Sequence, residues 1–96
     1  MELYIIGEFR ALPGREAGVD AAIRAVVPQT RGEPACLGIH GFRCTRDPAR
    51  FFIHSSWRDE ASFEAHALLP HTLDFLTAIA PLLTHAVEVA RVRQIV

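Results

Sequence analysis

Apolar positions along the chain fall into strand-like runs and helix-like stripes. Leu3, Tyr4, Ile5 and Ile6 open a strand expected to reach about Arg10, and Leu12-Pro13-Gly14 ends it with turn chemistry. From Glu16 to about Thr30, Val19, Ala22, Ile23, Val26 and Val27 recur at helical spacing, with Arg15, Glu16, Asp20 and Arg24 opposite. This predicts an amphipathic helix with one buried stripe. Pro28 is expected to end it or tighten its last turn, and Gly32 with Pro34 completes the connection. Cys36 to Thr45 reads as a second strand, Asp47-Pro48-Ala49 as a hairpin turn and Arg50 to Trp57 as a third strand. Pairing Arg46 with Phe51 would set His40 across from Trp57, Phe42 from Ser55 and Cys44 from Ile53.

After the third strand the period changes. Asp59 has the side chain of an N-cap, and Glu60 suits the positive end of a helix dipole. Phe63, His66 and Ala67 then share one helical face, apolar except for the imidazole. Pro70 cannot donate to the preceding turn and biases Leu69 away from helical dihedrals, so the helix should break there and restart with His71 and Phe75 on one face. This broken helix is expected to reach about Leu83, and Thr84 to Ile95 reads as a Val-rich strand interrupted by Glu88, Arg91 and Arg93.

Strand, helix, strand, strand, helix, strand is the order of a ferredoxin-like split βαβ sandwich, an α+β plan with an antiparallel sheet and both helical segments on one face. A sheet with one bare face should alternate apolar and polar residues. Leu3-Tyr4-Ile5-Ile6, Cys36-Leu37-Gly38-Ile39 and Phe51-Phe52-Ile53 instead present apolar side chains on both sides. The helix-free face is therefore expected to be covered, and a second copy of the chain is the expected lid.

Composition narrows the class. The 96 residues suffice for one small domain, expected to span 1–96, and half of them are hydrophobic. The net charge is −1 and every one of the 10 basic residues is arginine, with no block of like charge, so no nucleic-acid partner is expected. Glu2 and Glu8 interrupt the opening run, which reads as neither signal peptide nor membrane span, and a cytoplasmic location is expected. Cys36 and Cys44, placed in one strand, would lie about 26 Å apart. They cannot bridge within the chain, and reduced, mostly buried thiols are expected. Metal ligation is not expected either. His66 and His71 are five apart with a proline between, not the i,i+4 pair that closes on one ion, and neither Cys-x2-Cys nor His-x-His occurs. Dinucleotide, phosphate-loop and serine-nucleophile motifs are absent too.

The run Trp57-x8-His66-x4-His71-x3-Phe75, with Glu33-Pro34-Ala35-Cys36 ahead of the second strand and Leu12-Pro13-Gly14 after the first, resembles the antibiotic biosynthesis monooxygenase (ABM) domain, and within it the small bacterial quinol monooxygenases. The resemblance implies a dimeric α+β barrel, two ferredoxin-like subunits packed sheet to sheet. It also implies oxidation of a hydroquinone-like or polycyclic phenolic substrate by O2 without flavin, haem or metal. Many members carry Glu two residues before the Trp, where this chain has Ser55. Haem-degrading relatives carry an Asn where Gly7 stands and a Trp where His66 stands, which disfavours haem degradation.

Oxygenation of that kind requires a base to deprotonate a phenol and an apolar pocket to hold the anion. A histidine suits the first task, since imidazole ordinarily titrates near about 6.5. His66, on the face of Phe63, is the leading candidate for the base and His71 the second, although a lone histidine on an apolar helix face is more often a hydrogen-bonded structural residue. His71 could equally bond free backbone groups at the helix restart. Trp57 could stack on a flat substrate or simply pack in the core. His40 enters through its expected pairing with Trp57, and Phe42, Phe63 and Phe75 are core residues first and pocket walls second. An isomerase or lyase acting on a small carbonyl compound and a non-catalytic ligand-binding dimer are the competing readings.

Overall fold

The computed structural model describes residues 1–96. Its elements are β1 (Leu3–Arg10), α1 (Glu16–Arg31), β2 (Cys36–Arg43), β3 (Arg50–Trp57), α2 (Glu60–His66), α3 (Pro70–Ile79), a 3-10 turn (Ala80–Leu82) and β4 (Glu88–Val92). All pairings are antiparallel in the order β2-β3-β1-β4, the expected ferredoxin-like α+β sheet. β3 and β1 are the two central strands, and β2 and β4 form the edges. Alternation along β1 separates the faces: Ile5 and Phe9 are buried beneath the helices, whereas Ile6 between them is 41 % exposed on the other side.

The stripe on α1 packs as its periodicity dictates. Val19, Ile23, Val26 and Val27 close against Phe9, Ile39, Phe51 and Ile79, and each such side chain contributes about 1.5–3 kcal/mol when fully buried. Pro28 does not end the helix, which continues to Arg31. Both Pro28 and Arg24 are exposed, so the carbonyl that loses its partner faces water. The turn before α1 uses Gly14 at φ +83°, a conformation costly for a residue with a Cβ. At Gly41 the constraint is space, since a Cβ there would stand 2.6 Å from Cγ2 of Ile23.

The β2–β3 register departs from expectation. His40 pairs with His54, Phe42 with Phe52 and Arg43 with Phe51, while a bulge between Cys36 and Gly38 carries Cys36 to Trp57. Asp47-Pro48-Ala49 does turn, with Arg50 N–H donating to the Asp47 carbonyl (3.0 Å), but Arg43 rather than Arg46 pairs with Phe51. Residues 44–49 form a longer connection, closed by Cys44 N–H donating to the Arg50 carbonyl (2.8 Å) and by the Asp47 carboxylate accepting from Ala49 N–H (3.2 Å) and Arg10 (2.8 Å). The slip is odd, so it exchanges faces. His40 and Phe42 therefore lie on the helix-free face, away from Trp57, and Phe42 is 53 % exposed rather than in the core. β2 stops before Cys44, and both cysteines are free and half-buried rather than mostly buried. The last strand is shorter than its Val-rich run, and residues 93–96 are exposed. No helix is long and apolar enough to cross a membrane.

Candidate active site

The break between α2 and α3 builds the site. Asp59 caps α2, its carboxylate accepting from Ser62 N–H (2.8 Å) and Ser62 Oγ–H (2.6 Å), and these bonds hold its carboxyl below the usual carboxylate range. His66 ends that helix. Leu69 is extended (φ −70°, ψ 148°), Pro70 takes the first position of α3, and His71 follows in its first turn. The helix is thus broken between the two imidazoles. Helical spacing no longer governs them, and their ring centroids lie 6.1 Å apart.

Glu33 joins them. It sits in the loop after α1, fixed by Glu33 N–H donating to the Thr30 carbonyl (3.0 Å) and by Cys36 N–H donating to the Glu33 carbonyl (3.1 Å). Its Oε2 lies 2.8 Å from His66 Nδ1 and 2.7 Å from His71 Nε2, with Glu33 and His66 side chains each only 12 % exposed. An ionised carboxylate only accepts, so both ring nitrogens are assigned their protons. In the neutral ring this leaves the lone pair of His66 on Nε2. It has no hydrogen-bond partner and is not sealed from solvent. Thr72 Oγ1, 3.3 Å from His66 Nδ1, adds a weaker contact from α3.

Behind His66 stands Trp57, fully buried, with ring centroids 4.5 Å apart and planes inclined by 35°. Its indole N–H donates to Ser55 Oγ at 3.0 Å. The serine in place of the acidic residue thus satisfies the indole, and a buried donor left unpaired would be costly. Cys36 lies across from Trp57, and burial pushes its thiol up from the ordinary range, which suppresses thiolate chemistry.

His66 also lines a cavity of about 400 Å³ between the sheet and the helices, with Ile5, Phe9 and Ile53 as its floor and Phe63 and Phe75 as its sides. Such a volume and apolar lining suit a small organic ligand. Arg91, its one cation, reaches Glu60 and Glu64 on α2 (3.2 Å each) and lies over the Phe63 ring, tying β4 to α2. A second depression of about 410 Å³ beside α1 contains Arg24, Arg31 and Arg43. Those guanidinium groups are already bound to Asp20, the Ile39 carbonyl and the Pro48 carbonyl.

Of the residues singled out from sequence, His66, His71, Trp57 and Phe63 come together, and Phe75 lines the cavity edge-on to Phe9. Trp57 and His71 are not among the lining residues, and His40 is on the opposite face of the sheet. Glu33, Thr72 and Arg91 were not anticipated in the site. Glu33 belongs to the Glu33-Pro34-Ala35-Cys36 run, but only the tertiary fold brings it to the histidines. Although His66 and His71 do not share a helical face, the fold brings Glu33, His66 and His71 together, with one donor atom from each within 4.8 Å of one another.

A family model described as antibiotic biosynthesis monooxygenase matches residues 3–78. The chain belongs to this family. A crystal structure of an antibiotic biosynthesis monooxygenase shares 25 % identity over 97 % of this chain and 98 % of its own, with a TM-score of 0.91. PA3566 from Pseudomonas aeruginosa shares 27 % identity over 99 % and 95 %, with a TM-score of 0.92. Rv0793 from Mycobacterium tuberculosis, 20 % identical over 99 % and 96 %, shows the same fold at a TM-score of 0.93. No curated protein matches the sequence. Family members share the scaffold, and the chemistry must be argued from the site.

Proposed function

We propose that this protein is an enzyme, a monooxygenase that uses O2 to oxidise a hydroquinone-like or polycyclic phenolic substrate in the cavity beneath α2 and α3. One observation carries the reading: an imidazole oriented by a shielded carboxylate lines an apolar cavity large enough for a small aromatic molecule. Glu33 accepts the Nδ1 proton of His66 and thereby fixes the tautomer with its lone pair on Nε2. That nitrogen takes the phenolic proton. Apolar walls then hold the phenolate away from water, where it is a stronger electron donor to O2. On a hydroquinone, one oxygen atom ends as a ring hydroxyl of the quinone product and the other leaves as water with two hydrogens; on a polycyclic phenol with an activated CH2, one oxygen atom replaces both hydrogens as a carbonyl and the other leaves with them as water. In either case the proton held on His66 returns to the product or the departing water. The protein's own part needs only a base, a positioned substrate and a dry pocket.

His71 shares the Glu33 carboxylate and serves as a positioning residue, and Trp57 sets the plane of His66. The helix-free face, with Tyr4, Ile6, Phe42 and Phe52, is the surface for a second copy, giving the dimeric α+β barrel. Oxygen uptake with a panel of reduced quinones and polycyclic phenols tests the activity. Uptake should appear with at least one of them and fall by about a hundredfold or more in His66→Ala, the usual scale of a lost general base, with little change in thermal midpoint. No uptake with any member, or full uptake in a destabilised His66→Ala, would reject the reading and favour a binding module or a carbonyl isomerase.

A further inference from the structure

Glu33 Oε2, His66 Nδ1 and His71 Nε2 come from three separate pieces of chain, the loop after α1, the end of α2 and the first turn of α3, yet lie within 4.8 Å of one another. Side-chain exposures of 12 %, 12 % and 21 % shield all three from bulk water. Convergent, shielded donors of this kind share either protons or a cation. A divalent ion held at about 2.0–2.2 Å by imidazole and carboxylate sets tetrahedral donors roughly 3.3–3.5 Å apart. Starting from contacts of 2.8 and 2.7 Å, the carboxylate need only withdraw slightly while the two rings close on the ion.

We propose that Glu33, His66 and His71 form a binding site for a divalent first-row transition ion such as Zn2+ or Co2+, which displaces the protons that now join them. Two imidazoles and one carboxylate favour that class over Mg2+ and Ca2+, which take mostly oxygen ligands. Three protein donors leave a coordination position for water. Binding weakens in acid, as the ion competes with protons for both rings. A further consequence rests on the oxidation proposed above: a metal on Nδ1 keeps the remaining imidazole proton on Nε2, the atom that acts as base. The ion is then an inhibitor.

The test is titration of the purified full chain with Co2+, followed by its visible absorption bands, together with equilibrium dialysis against Zn2+. One ion per chain should bind, Zn2+ should displace Co2+, and excess Mg2+ should not. Glu33→Gln and His71→Ala should each weaken binding by at least about 10–100-fold, a scale already reached when groups behind the ligands are lost. His71→Asn serves if alanine loosens the start of α3, and His85→Ala, on the surface, should leave binding unchanged. Absence of saturable one-to-one binding, or binding that survives both substitutions, would overturn the site. Cobalt binding with undiminished oxygen uptake would sustain the site and overturn the assignment of His66 Nε2 as base. Oxygen uptake that depends on His66 in a chain that binds no metal would do the reverse.

Discussion

Oε2 of Glu33 stands 2.8 Å from Nδ1 of His66 across 33 residues of chain. The contact orients the imidazole and fixes its tautomer, and the assignment of His66 as base depends on it. Glu33→Gln keeps the shape but removes the charge, and one amide oxygen must then serve both rings. Oxygen uptake should fall about 10- to 100-fold, less than for loss of the base itself. Stability should change by no more than about 1–2 kcal/mol. Equal uptake in the variant and the parent would make Glu33 a structural residue.

How much of this was legible in the sequence follows from the range of each interaction. Asp59 as a cap and the restart at Pro70 are local chemistry and appear where they were expected. The alternation of β1 and the stripe on α1 likewise depend only on near neighbours. The β2–β3 register did not, because it hangs on a connection whose length is set by Asp47 bonding to Arg10 on another strand. His40 was misplaced with it. Pro28 could have ended the helix or tightened its last turn, and its exposure, a tertiary property, lets it stay inside the last turn. Glu33 was hidden because no local pattern shows that the loop after α1 meets the end of α2.

Gly41 marks the close approach of α1 to β2. A Cβ at 2.6 Å from Ile23 Cγ2 must push a β-branched core side chain that has few alternative rotamers. Gly41→Ala should therefore destabilise by about 1–3 kcal/mol, the usual cost of overpacking. Ile23→Leu, which removes the β-branch, should make the double variant less unstable than the sum of the two. Additive losses in urea unfolding would show that the clash is relieved by other means.

Acid should expose two surface carboxylates. The Arg10 guanidinium bonded to Asp47 and the Ser62 hydroxyl and backbone N–H bonded to Asp59 hold both carboxyls below their usual range. A folded value below the unfolded one stabilises the fold above the ordinary carboxylate range, near about 3.9, and that stability is lost as pH falls through the lowered folded value. Thermal midpoints of Asp47→Asn and Asp59→Asn should lie below the parent's at neutral pH and converge with it in acid. A gap that does not change with pH would assign the loss to packing instead.

The helix-free face yields the last prediction. Tyr4, Ile6, Phe42, Phe52 and Val92 project from β1 to β4 onto one side of the sheet, and Ile6, Phe42 and Val92 remain 41 %, 53 % and 37 % exposed in the single chain. Apolar patches that span several strands mark interaction surfaces. An apolar face of this kind can meet the same face of a second copy about a two-fold axis. Ile6 lies on one of the two central strands, between His54 and Ala90 of its neighbours. Ile6→Asp therefore places a charge near the middle of the contact, where it must be desolvated among apolar side chains. Light scattering at low micromolar concentration should give twice the chain mass for the parent protein and the chain mass for Ile6→Asp, with the far-ultraviolet spectrum unchanged. Since an obligate interface resists dilution, a folded parent monomer at that concentration would leave the face without its proposed lid, and a dimeric Ile6→Asp would move the interface elsewhere.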